Sequence, residues 1–164
     1  MAAGTTYTPI ATITLGSAAA TTTFSSLGSY TDIVIVAHAQ NVSNSGADFY
    51  MQFNGDTATN YSRLYLVGDG TSVSSGLSTN TTGINMFSLP ASGSAFNPFT
   101  IHINNYKNTT TNKTALIYQS GNTNYMGATV ATWRNTAAIT SITFGYVNNI
   151  NAGSTFSLYG ITAA

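Results

Sequence analysis

Short stretches in which apolar and polar residues alternate, separated by turn residues, recur down this chain and predict strands almost throughout. The cleanest lies within 97–103, where Phe99, Ile101 and Ile103 share one face and His102 points the other way. Ile142, Phe144 and Tyr146 repeat that spacing within 139–147. The run from Thr31 through Asp32-Ile-Val-Ile-Val-Ala-His to Ala39 is instead almost continuously apolar, which predicts a central strand buried on both faces. Weaker or shorter strand signals occupy 10–15, 21–24, 48–53, 61–67, 84–89, 113–119, 126–134 and 154–161.

Turn chemistry separates them. Asn54-Gly55-Asp56 and Gly68-Asp69-Gly70 carry residues that tolerate positive φ, Pro90 to Gly93 breaks the chain again, and 104–112 is polar and Thr-rich. Residues 71–83, dominated by Ser, Thr, Gly and Asn, read as an exposed loop or edge. Helix signals are nearly absent, whereas β-branched Thr, Val and Ile are everywhere. The pattern predicts an all-β protein, a jelly-roll-like antiparallel β-sandwich of about nine or ten strands, with a single domain over 10–164 and an N-terminal arm over 1–9.

Length agrees with one domain, since 164 residues can enclose a real core and are too few for two ordinary ones. Charge changes the picture more. Asp, Glu, Lys and Arg reach only 5% of the chain, against about 25% in an average soluble domain. The ionisable groups that matter are Asp32, Asp48, Asp56, Asp69, Lys107, Lys113, Arg63, Arg134, His38 and His102, with no glutamate. A surface of neutral hydrogen-bonding groups at zero net charge favours association over mutual repulsion. No basic patch is present, so nucleic-acid binding is not expected. No apolar stretch reaches the length of a membrane-spanning helix, and the first ten residues lack the basic and apolar regions of a secretory signal, so neither a membrane partner nor export is expected. Cysteine is absent, which removes disulfides and thiolate chemistry together.

Candidate chemistry is sparse. Asp56 and Asp69 sit in turns, where side-chain capping of the backbone is the ordinary role, and a calcium site built from both with loop carbonyls is the only metal arrangement worth testing. Asp32 and His38 lie on one strand face but six residues apart, about 20 Å by strand rise, too far to act as an acid/base pair. His102 has no second histidine at ligand spacing, and no G-x-S-x-G nucleophile motif occurs. No residue is therefore assigned as catalytic, cofactor-binding or metal-ligating, no cofactor is expected, and an enzyme is not expected. The sequons at Asn41, Asn60, Asn80, Asn108 and Asn112 follow from composition. Tyr61, Tyr65, Tyr106, Tyr125 and Trp133 fall near predicted loops or strand ends, where rings either fill the sandwich or stack on sugars.

Four phrases add a resemblance: Tyr30-Thr-Asp-Ile-Val-Ile-Val36, Phe53-Asn-Gly-Asp-Thr-Ala-Thr-Asn-Tyr-Ser62, Trp133-Arg-Asn-Thr-Ala-Ala-Ile-Thr-Ser-Ile-Thr143 and Leu158-Tyr-Gly-Ile161. Together, from about Pro9 to Ile161, the chain resembles small virion proteins of tailed bacteriophages, including those of cyanobacteria and marine bacteria. The resemblance implies a β-sandwich carried on the virion, made in the host cytoplasm. It would be either a capsid decoration (cement) protein, commonly a homotrimer seated on the major capsid protein, or a tail-fibre or adhesion module binding host carbohydrate. Under the second alternative, residues 54–61 and 104–112 would form the glycan loops. No catalytic residues come with it.

Overall fold

The computed structural model describes residues 6–43, 49–91, 93–120 and 126–162, and among them there is no helix. Twelve strands form: β1 (Thr8–Thr14), β2 (Ala19–Phe24), β3 (Asp32–Ala39), β4 (Phe49–Phe53), β5 (Tyr61–Gly68), β6 (Val73–Thr81), β7 (Ile84–Met86), β8 (Asn97–Ile103), β9 (Lys113–Ser120), β10 (Met126–Trp133), β11 (Ile142–Ile150) and β12 (Thr155–Ile161). All pairings are antiparallel, in an eight-stranded sheet of order β1-β12-β3-β8-β9-β10-β5-β6 and a four-stranded sheet of order β2-β11-β4-β7.

The order contains a complete jelly roll. Strands β1-β12-β3-β8 in one sheet and β2-β11-β4-β7 in the other nest as first with last, second with second-last, and so inward, as two interlocked Greek keys require. The remaining strands arrive as two insertions, β5–β6 between β4 and β7 and β9–β10 between β8 and β11. They add themselves to the first sheet as β9-β10-β5-β6. One sheet thus overhangs the other by four strands.

Phenylalanines from both sheets lock the jelly-roll core. Phe49 and Phe144 come from the small sheet, Phe99 and Phe156 from the large one; all are buried, and the closest pair, Phe144 and Phe156, stacks with ring centroids 5.1 Å apart. Offset and edge contacts of this kind add to the area the rings bury. A second aromatic group ties the overhang down: Phe53 of β4, Tyr61 of β5 and Trp133 of β10 have centroids 5.7–6.3 Å apart.

Several expectations are corrected in detail. The strands number twelve rather than nine or ten, chiefly because the Ser/Thr-rich stretch 71–83 contributes β6, a nine-residue strand at the sheet edge. β3 is buried on both faces only as far as Ile35; beyond it Val36 and His38 open to solvent, because their neighbours across the sheet are Ser157, Thr155, Thr100 and Pro98, too small to cover them. The last long hydrophobic strand starts at Ile142, not Ile139. Asn54, at φ 54°, accepts hydrogen bonds from the backbone N–H groups of Thr140 (2.7 Å) and Ser141 (3.1 Å) and so takes them out of any ladder. Residues 8 and 9 of the expected arm already belong to β1, paired with Gly160 and Tyr159, while 1–5 lie outside the described residues.

Candidate functional site

Antiparallel partners share a face, so the registers sort every side chain of the large sheet. The face toward the small sheet carries Ile33, Ile35, Phe99, Ile101, Ile103 and Ile117 over the jelly-roll half. Across the overhang the same face carries Tyr61 and Trp133 at the end packed on Phe53 of the small sheet, and farther along turns to Thr129, Gly127, Arg63, Tyr65, Val67, Ser78, Gly76 and Ser74. The chain closes it locally. A Cβ on Gly127 would run into the Phe87 ring, so only glycine lets that ring lie flat on β10. Gln119 locks the segment by accepting from the Phe87 N–H (3.2 Å) and donating to its carbonyl (2.9 Å).

The opposite, outward face of the overhang is apolar. One cross-strand row reads Leu116, Val130, Leu64, Leu77, and the next reads Tyr118, Ala128, Leu66, Ser75; Met126 and Val73 extend it at one end. Leu64, Leu66, Leu77, Val73, Met126, Val130 and Tyr118 are each between 47% and 75% exposed. On side chains of about 150–200 Å² these fractions amount to roughly 700 Å², above the 300–600 Å² of the largest patch on a typical monomer. A shallow groove of about 530 Å³ runs through it, lined by Leu66, Val73, Pro98, Tyr118, Met126 and Ala128. No Asp, Lys or Arg lies in these rows; Arg134 stands at the rim, its guanidinium donating to Ser62 Oγ and to Asn80 Oδ1 (2.9 Å).

A polar recess of about 400 Å³ lies on the other side of the overhang, between Arg63, Tyr65, Asp69 and Phe87. Its groups are engaged within the fold. Arg63 Nη1 donates to the Asn85 carbonyl (2.6 Å), with the guanidinium carbon 5.1 Å from the Tyr65 ring centre, and Asp69 Oδ1 caps the β5–β6 turn by accepting from Thr71 and Ser72 N–H.

The residues singled out from the sequence are dispersed. Asp56 and Asp69 flank β5 at its two ends, about 25 Å apart along eight strand residues, so they cannot share a cation. Among the described residues no three His, Cys, Asp or Glu side chains cluster. Asp56 instead gathers three donors, Ala58 N–H (2.8 Å), Asn60 Nδ2 (2.9 Å) and Trp133 Nε1 (2.7 Å). These hold its carboxyl below the usual carboxylate range, the Asn60 amide most strongly. Asp32 Oδ1 caps Asn105 N–H (2.6 Å) at one end of β3, and His38 is exposed at the other. His102 sits half-buried on the outward face, as its alternation predicts.

Of the candidate stacking rings, Tyr61, Tyr106 and Trp133 are at most 1% exposed and present no face to a sugar. Burial pushes the Tyr61 hydroxyl up to about 12. Tyr106 Oη donates to the carbonyls of Leu27 (3.1 Å) and Gly28 (3.0 Å), making it a loop anchor. Tyr65 is half-buried against Phe87, and Tyr125 and Asp48 lie outside the described residues. Asn41 is fully buried, its amide donating to the Leu89 carbonyl (2.7 Å), which closes that sequon to modification.

The apolar overhang escaped the sequence reading because β5 carries large side chains on both faces; only its register with β6 and β10 decides which are covered. No protein-family model matches the chain, and no curated protein matches it.

Proposed function

We propose that this chain is a structural surface protein of a virion, a capsid decoration protein that seats the uncharged outward face of its β9-β10-β5-β6 overhang on the particle. One observation carries the reading: a contiguous apolar face of roughly 700 Å² on a chain with only 5% charged residues, close to the ~800 Å² each partner contributes to a standard protein interface. Jelly rolls are a recurrent architecture of viral capsid domains, which is support by analogy of fold. The resemblance of the chain to phage virion proteins points the same way. Burial of Tyr61 and Tyr106, the rings of the expected glycan loops, weighs against the adhesion alternative.

The test uses particles stripped of the protein and re-supplied with it. Wild-type chain should rebind and restore resistance to heat and low salt. A Leu66→Asp/Val130→Asp variant, folded by circular dichroism, should fail to rebind, because two carboxylates would have to be desolvated at the contact. Rebinding by that variant, or density for the chain at the tail tip in a particle reconstruction, would overturn the reading.

A further inference from the structure

We infer that the outer edge of β6 pairs with β6 of a second copy, joining two overhangs into one continuous sixteen-stranded sheet. The two sheets leave four edges. β7 offers three residues; β2 offers six, with its own ladder interrupted beyond Thr21; β1 carries Pro9 and a register shift between Pro9 and Ala11. Short length, proline and bulges are the devices by which natural sheets keep their edges from pairing.

β6 has none of them along Val73 to Thr79. It is the longest edge strand, contains no proline and no charged side chain, and its irregularity comes only at the Asn80 end, where φ is 56° and the register with β5 shifts. Nothing among the described residues pairs with its outer side. Seven regular residues spanning about 23 Å therefore expose a row of backbone donors and acceptors with no protective feature.

A second copy is the occupant that fits. A twofold axis normal to the sheet pairs β6 antiparallel with itself and keeps odd-numbered residues on one face, so Val73, Ser75, Leu77 and Thr79 of each copy stay outward. Centred on Gly76, it sets Ser74 opposite Ser78 and Leu77 opposite Ser75 of the other copy, so the Leu64–Leu77 row of each copy runs on into the Ser75–Leu66 row of its partner. With neither strand charged, like meets like at no electrostatic cost. The union gives about six to eight backbone hydrogen bonds, within the ten or so, give or take five, of an ordinary interface. It also doubles the contiguous apolar face. This is a twofold pair, in place of the threefold set implied by the phage resemblance.

Sedimentation of the purified chain, free of particles, tests it. Wild type should run at twice its 17.1 kDa. Ser74→Glu/Ser78→Glu and Ser74→Lys/Ser78→Lys, placed on the face away from the apolar rows, should each run as monomers at neutral pH, and a 1:1 mixture should restore the pair. Trp133 emission confirms that each variant is folded. A monomeric or trimeric wild type would overturn the inference, as would folded charged variants that still dimerise alone. Particle binding plays no part in this measurement, so it stands or falls separately from the decoration role.

Discussion

Replacing Asp56 by alanine removes a carboxylate that accepts from Ala58 N–H, Asn60 Nδ2 and Trp133 Nε1. The first two donors lie in an exposed loop and can turn to water, so they contribute little to the loss. The indole cannot turn: Trp133 is 1% exposed and wedged against Phe53 and Tyr61. Orphaning its N–H costs about 1–3 kcal/mol, and with the loop the total comes to about 2–3 kcal/mol. At about 2–4 °C per kcal/mol for a domain of this size, Tm should fall by roughly 5–10 °C at pH 7.

The pH dependence has a definite sign. Hydrogen bonds from Asn60, Trp133 and Ala58 depress the Asp56 pKa below its ordinary 3.8 in the folded protein. The carboxylate therefore stabilises the fold above that ordinary value, and this contribution is lost as pH falls through the lower, folded value. Differential scanning calorimetry of wild type and Asp56→Ala from pH 7 to pH 2 should show the gap in Tm shrinking below pH 4. Trp133→Phe should cost less in the Asp56→Ala background than in wild type, since the shared bond is already gone. A shift below about 1 °C at pH 7, or a gap unchanged at pH 2, would refute the assignment of Asp56 as the cap on the indole.

Other substitutions probe other parts of the fold. Phe144→Ala opens a cavity among Phe49, Phe99 and Phe156 and should cost about 3–5 kcal/mol in urea unfolding. Tyr106→Phe leaves the Leu27 and Gly28 carbonyls without their shared donor and should cost about 1–2 kcal/mol by the same measurement, with the core aromatic signal unchanged. Lys113 is buried with its ammonium donating to the carbonyls of Thr111 (2.7 Å) and Thr136 (3.1 Å), and burial lowers its pKa below 10.5. The unfolded chain then holds that proton more firmly, so stability attributable to Lys113 rises with pH between the lowered value and 10.5. Tyr61 acts with the opposite sign from pH 10 upward, so the measurement is the difference between wild type and Lys113→Met, which should grow in favour of wild type as pH climbs from 8 to 10.5.

Much of the architecture is legible where one face of a strand is covered and the other is wet. Within β8 the alternation of Phe99, Ile101 and Ile103 with Thr100 and His102 translates directly into buried and half-buried positions. β3 misleads because an apolar run carries no sign of where its outer cover ends, and that cover is set by β12 and β8. β6 misleads in the other direction. Its run of Ser, Gly and Asn gives a weak strand signal in isolation, yet the capped turn at Asp69, with Gly70 at φ 85°, delivers it in register onto β5. The link between Asp56 and Trp133 spans 77 residues and leaves no local signature, although both residues stand out singly.

The overhang explains why scarce charge and an exposed apolar face occur in one molecule. A four-strand extension has two faces and only one small sheet to share, so one face must be closed by the chain itself. Phe87 does this on the inward side, held through its N–H and its carbonyl by Gln119, with glycine at 127 admitting the ring and Arg63 donating to the Asn85 carbonyl. The outward face has no such cover, and its leucines, valines and methionine gain only when another surface supplies one. Were the remaining surface strongly charged, the contact would be steered and screened by salt. With charge almost absent, a contact made on that face would draw its energy from apolar area and, under the pairing inferred for β6, from its backbone edge, which would place the specificity of assembly in sheet geometry, not in ion pairing.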